Sequence, residues 1–113
     1  MNETKQIKQM TKAELRRRLT KGTKLTLINC LAGPCHSYRT VHKQSNGGDH
    51  YEFLTEDNRI SHLCIQSTEY VQDTGTGFAI RLKENDRIMV QYEWGHIPYP
   101  EITAYPPDSQ KVG

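Results

Sequence analysis

The sequence predicts an α+β fold, with an N-terminal helix packed on a strongly bent antiparallel sheet or small open barrel of about six strands. Three stretches carry this expectation: the helix-starting capping box Thr11-Lys12-Ala13-Glu14, a hairpin from Ser37 to Leu54, and a second hairpin from Phe78 to Trp94. In the first hairpin, Ser45-Asn46-Gly47-Gly48-Asp49 separates two runs rich in Thr, Val, Tyr and Phe, and its Asn-Gly and Gly-Gly steps supply the positive φ values a tight reversal needs. Tyr51 and Phe53 then alternate with His50 and Glu52, the period-2 pattern of a half-buried strand.

The remaining elements follow in chain order. Residues 1–10 read as a flexible lead-in or a weak first helical turn. Met10 and Leu15 flank the cap as a hydrophobic staple, Leu15 and Leu19 share a helix face, and Gly22 is placed to stop the helix. Lys24 to Leu31 carries apolar residues on both faces, as a central strand does, and Ala32-Gly33-Pro34 breaks it. Ile60 to Ile65 is a short strand, whereas the polar, glycine-bearing stretch 67–77 reads as a loop. Phe78, Ile80 and Leu82 face the returning Ile88, Val90, Tyr92 and Trp94, the most apolar surface in the chain. Residues 95–113 hold four of the five prolines, with Tyr99 and Tyr105 between them; they form a proline-rich tail, extended or disordered, that serves as a linker or offers a partner an extended peptide. The domain is expected over 11–94.

Composition narrows the function classes. The 113 residues carry a net charge of +2, too weak a bias to demand a nucleic acid and unlike the acidic surface of a DNA mimic. No apolar run approaches the roughly 18 residues of a membrane span, and the polar start is not a secretory signal, so a cytosolic protein with reduced thiols is expected.

Several constellations carry chemistry on paper. Cys30, Cys35, His36, His62 and Cys64 are zinc-ligand types, but their spacing is irregular and buried strand thiols are ordinary packing, so no metal or other cofactor is expected. Cys35 beside a histidine lacks any surrounding catalytic motif, and Gly75-Thr76-Gly77 lacks the lysine and helix of a phosphate loop. No enzyme is expected. Cations are the better lead. Lys12, Arg16, Arg17, Lys21 and Lys24 form a helix stripe, Arg39 and Lys43 share a strand face, and Tyr38 or Tyr51 could stack on bases. Arg16, Arg17, Arg39 and Lys43 are the residues expected to contact a partner or nucleic acid.

Thr11-Lys12-Ala13-Glu14-Leu15, then Lys21 to Leu27, then Arg39 to Asn46, and a last apolar strand ending near Tyr92 together resemble small accessory proteins of bacteriophages and mobile elements, over about residues 11–94. The resemblance implies a non-enzymatic binder in a bacterial host's cytoplasm, acting in host takeover or counter-defence by blocking a nuclease complex or sequestering a signalling nucleotide. An inhibitor of a CRISPR nuclease is one such protein. The partner so implied is a host protein or protein–nucleic acid complex; the alternative is a small β-barrel that binds nucleic acid through the helix and hairpin cations.

Overall fold

The computed structural model describes residues 8–45 and 48–98. It corrects the expected class. Among the described residues, the fold is mostly one antiparallel sheet of eight strands in the order β1-β6-β7-β8-β2-β3-β4-β5, with a single helix of 7 residues in place of a helix packed on six strands. The elements are β1 (Lys8–Met10), α1 (Lys12–Arg18), β2 (Lys24–Cys30), β3 (Gly33–Gln44), β4 (His50–Thr55), β5 (Ile60–Cys64), β6 (Glu69–Asp73), β7 (Gly77–Leu82) and β8 (Ile88–Trp94). Two strands exceed the expectation. Lys8–Met10, read as lead-in, pairs with β6, and β6 itself lies in the stretch read as a loop. Each has few apolar residues, so its strand state comes from the partner it pairs with and not from local pattern. Residues 1–7, the turn residues Asn46 and Gly47, and the tail from Tyr99 onward, Tyr105 included, lie outside the described residues.

Alternation explains the core. Register brings Met10 opposite Val71, Val71 opposite Ile80, Ile80 opposite Val90, Phe78 opposite Tyr92, Val41 opposite Phe53 and Tyr51 opposite Leu63. Apart from the half-buried Val90, which packs against it, these side chains join Leu25, Leu15 and Leu19 in one buried cluster. Met10 on one edge strand and Leu63 on the other belong to that same cluster, so the sheet curls around its inner face. Register shifts at Leu27/Asn29, Val41/Lys43 and Ile80/Arg81 mark the bulges that add bend.

The helix starts as its sequence dictates. Glu14 N–H donates to Thr11 Oγ1 at 3.0 Å and Thr11 N–H to Glu14 Oε1 at 2.9 Å, which satisfies two of the orphan donors of a helix start. Its C-terminal end is served by another element. Gln44 of β3 donates through Nε2 to the carbonyls of Arg16 at 3.1 Å and Leu19 at 2.8 Å. Beyond it, Gly22 has φ +92° and donates to Val41 O, tying the turn to β3. Tyr51, fully buried, donates its hydroxyl to Gly48 O at 3.1 Å.

Candidate binding surfaces

The four cations singled out in the sequence do not form one patch. Arg16 is half-buried: its Nε donates to Ser45 O at 3.3 Å, and its stem passes beside Gly48. Arg17 is exposed and lines a hollow of about 210 Å³ with Lys8, Gln9, Met10, Glu14, Arg18 and Asp73. Arg39 and Lys43, four residues apart in β3, would share a face in an uninterrupted strand, but the bulge between Val41 and Lys43 reverses the phase. Arg39 therefore stands with the core residues Leu25 and Val41 on the inner face, and Lys43 opposite Glu52 on the outer one.

Arg39 is held by its own strand: Nη1 donates to Ser37 Oγ and to Tyr38 O. Its Nε is buried without a hydrogen-bond partner among the described residues. Close to it are the thiols of Cys30, which donates to Gly33 O at 3.5 Å, and Cys35, which donates to Leu27 O at 3.8 Å. Burial, followed by the interaction with the neighbouring Cys30 side chain, pushes the Cys35 thiol up to about 11 against a partial pull downward from Arg39. A thiol so raised is a poor nucleophile near neutrality. Burial likewise pushes the Tyr92 hydroxyl well above its usual range.

The cationic pole is α1 with its flanks. Lys8, Arg17, Arg18, Lys21 and Lys24 are exposed there, while Glu14 and Asp73 are the carboxylates lining its hollow. Arg18 lies over the Trp94 ring at 4.4 Å and approaches Asp73 at 3.9 Å, so its guanidinium is positioned, whereas Arg17 reaches solvent. Glu14 accepts from the Thr11 backbone, and this hydrogen bond is the chief reason that its carboxyl sits below the usual range.

A second surface lies on the outer face of β3. Tyr38 stacks on His96 with centroids 4.4 Å apart and planes within 17°, and His36 meets Tyr38 edge-on at 5.1 Å. The segment after β8 holds this group in place: His96 Nε2 is 3.1 Å from Arg39 O, His36 Nε2 is 2.5 Å from Ile97 O, and Ile97 N–H donates to the buried Thr26 hydroxyl at 2.8 Å. Beside the stack, Tyr38, Thr40, Leu54, Thr55, Glu56 and His96 line a shallow hollow of about 240 Å³. Tyr51, the other tyrosine considered for stacking, is fully buried and cannot meet a base.

The five candidate zinc ligands do not converge. Cys30 and Cys35 adjoin on β2 and β3, His36 belongs to the aromatic group, and His62 and Cys64 lie on the edge strand β5. Among the described residues, no group of three or more His, Cys, Asp or Glu side chains is arranged to hold a metal ion. No described helix is long and apolar enough to cross a membrane. The His36–Tyr38–His96 group was beyond sequence reasoning because it depends on where the chain turns after Trp94. The alternation of His36 and Tyr38 was the one available signal. No protein-family model, curated protein or solved structure matches this chain.

Proposed function

We propose that this chain is a non-enzymatic binding protein of a phage or mobile element, which inhibits a bacterial host's defence factor by stoichiometric docking through the cationic pole around α1. The observation that supports the reading is the set of exposed cations on and flanking α1, Lys8, Arg17, Lys21 and Lys24, of which Lys8 and Arg17 line one hollow with the stacked and paired Arg18. Such a pole complements an acidic protein surface, steers its encounter, and makes binding weaken with salt. The resemblance to phage accessory proteins favours a defence factor as the partner.

A second reading is favoured by the Tyr38–His96 stack. An aromatic platform on an outer sheet face, with cations at one pole, is the equipment of a single-strand nucleic acid binder. One experiment separates the two. Wild type and Arg17→Glu are used as bait in a bacterial lysate, with and without nuclease. A protein complex retained after nuclease treatment and lost with Arg17→Glu supports the inhibitor. Capture abolished by nuclease supports the nucleic acid reading, and capture indifferent to Arg17→Glu removes the cationic pole from either.

A further inference from the structure

His50 of β4 and His62 of the edge strand β5 occupy the outer face of the sheet, away from the functions considered above. Register puts His50 opposite Cys64 and Glu52 opposite His62, so the two imidazoles are diagonal neighbours. Diagonal side chains meet only when they lean toward each other. These do: the rings are parallel within 7°, their centroids are 5.2 Å apart, and His50 Nε2 lies 3.1 Å from His62 Nδ1.

That contact is one hydrogen bond, in which one ring nitrogen donates and the other accepts through its in-plane lone pair. Zinc binds imidazole nitrogen at about 2.0–2.1 Å in a tetrahedron, which sets two ligand nitrogens roughly 3.3 Å apart. The pair already stands close to that spacing. Its surroundings are mixed in charge: Glu52 faces His62 across the ladder, and Lys43, opposite Glu52, shares a hollow of about 160 Å³ with His50. The thiol of Cys64 is the remaining soft donor on this patch.

We propose that His50 and His62 form a two-histidine site for a divalent transition metal ion of the zinc class, with water in the remaining coordination positions. Imidazole is the borderline donor that zinc, nickel and copper prefer. Only two nitrogens are preformed, and His62 is exposed on the edge strand, so the ion exchanges with solvent and the site differs from a closed structural zinc centre.

The test uses the full chain stripped with chelator and then titrated with zinc chloride by calorimetry near neutral pH, beside His50→Ala, His62→Ala and the control His42→Ala. Wild type and the control are expected to take up one equivalent, and each site variant to lose affinity by about tenfold or more. In parallel, side-chain NMR of wild type is expected to show zinc shifting the His50 and His62 imidazole resonances, a readout that needs no variant to fold. Absence of uptake by wild type, affinity unchanged in both site variants, or zinc shifts that spare these two rings would each overturn the proposal.

Discussion

Gly77 of β7 lies so close to β8 that a Cβ on it would sit 1.9 Å from the carbonyl oxygen of Tyr92 and 2.7 Å from Glu93 Cα. Both obstacles are backbone, so neither can swing aside as a side chain would. Gly77 is also buried, at the strand pair that carries Phe78 against Tyr92. The expected outcome of Gly77→Ala is a loss of about 1–3 kcal/mol or more, since an inserted methyl must push β7 and β8 apart. Urea denaturation followed by the fluorescence of Trp94, the single tryptophan, measures it. A midpoint equal to wild type would mean that the two strands do not approach as closely as described.

Gln44 is the second position where one side chain secures an element. Its amide supplies the hydrogen bonds that the Arg16 and Leu19 carbonyls lack within so short a helix. Gln44→Leu keeps the bulk and removes both donors, with an expected cost of about 1–3 kcal/mol. Gln44→Glu is expected to cost more at neutral pH, because a carboxylate would face two carbonyl oxygens, and to recover part of that loss in acid. Thermal melts of the two variants at neutral and acidic pH check the order.

These two residues also show where the sequence stops being legible. Thr11 and Glu14 announced the helix start because both halves of a capping box lie within four residues. Phe78, Ile80, Val90 and Tyr92 announced the inner face of the second hairpin because their alternation is uninterrupted there. In contrast, β1 is a strand because it pairs with β6, and β6 because it pairs with β7 on its other side, and the β1 pairing of Met10 with Val71 lies outside any local window. The bulge after Val41 had the same effect on the candidate site: it moved Lys43 to the face opposite Arg39, and one extra residue in a ladder leaves no mark in composition.

Glu14 predicts a weak acid dependence of the helix start. Its carboxyl is held below its usual value near 4.5 by the Thr11 backbone hydrogen bond first, then by the Thr11 hydroxyl. A carboxyl depressed in the folded state contributes stability that is present above its unfolded-state value and is lost as pH falls through the folded one. Glu14→Gln keeps a capping-box acceptor without the titration. The variant is therefore expected to flatten the fall in melting temperature below about pH 4.5, which melts across the acid range would show. Identical acid limbs for the two proteins would exclude a contribution from this cap.

Arg39 ties the thiols to the candidate site. Its guanidinium stands on the inner face with a buried Nε that finds no partner among the described residues, and it holds the Cys35 thiol lower than burial alone would. A buried donor without a partner keeps its desolvation penalty, so an apolar side chain of similar length removes that cost along with the bonds to Ser37 and Tyr38 O. Arg39→Met is accordingly expected to leave stability within about 1 kcal/mol of wild type, far from the loss that a removed core side chain brings. Its chemical effect is sharper. In wild type, the exposed Cys64 should react first with a thiol reagent near neutral pH, and the half-buried, raised Cys35 should lag well behind it. Removing the Arg39 charge should slow Cys35 further while leaving the rate at Cys64 unchanged. Mass-spectrometric labelling kinetics resolve the sites; a faster Cys35 in Arg39→Met would show that the arginine shields the thiol sterically and that its charge is not what governs it.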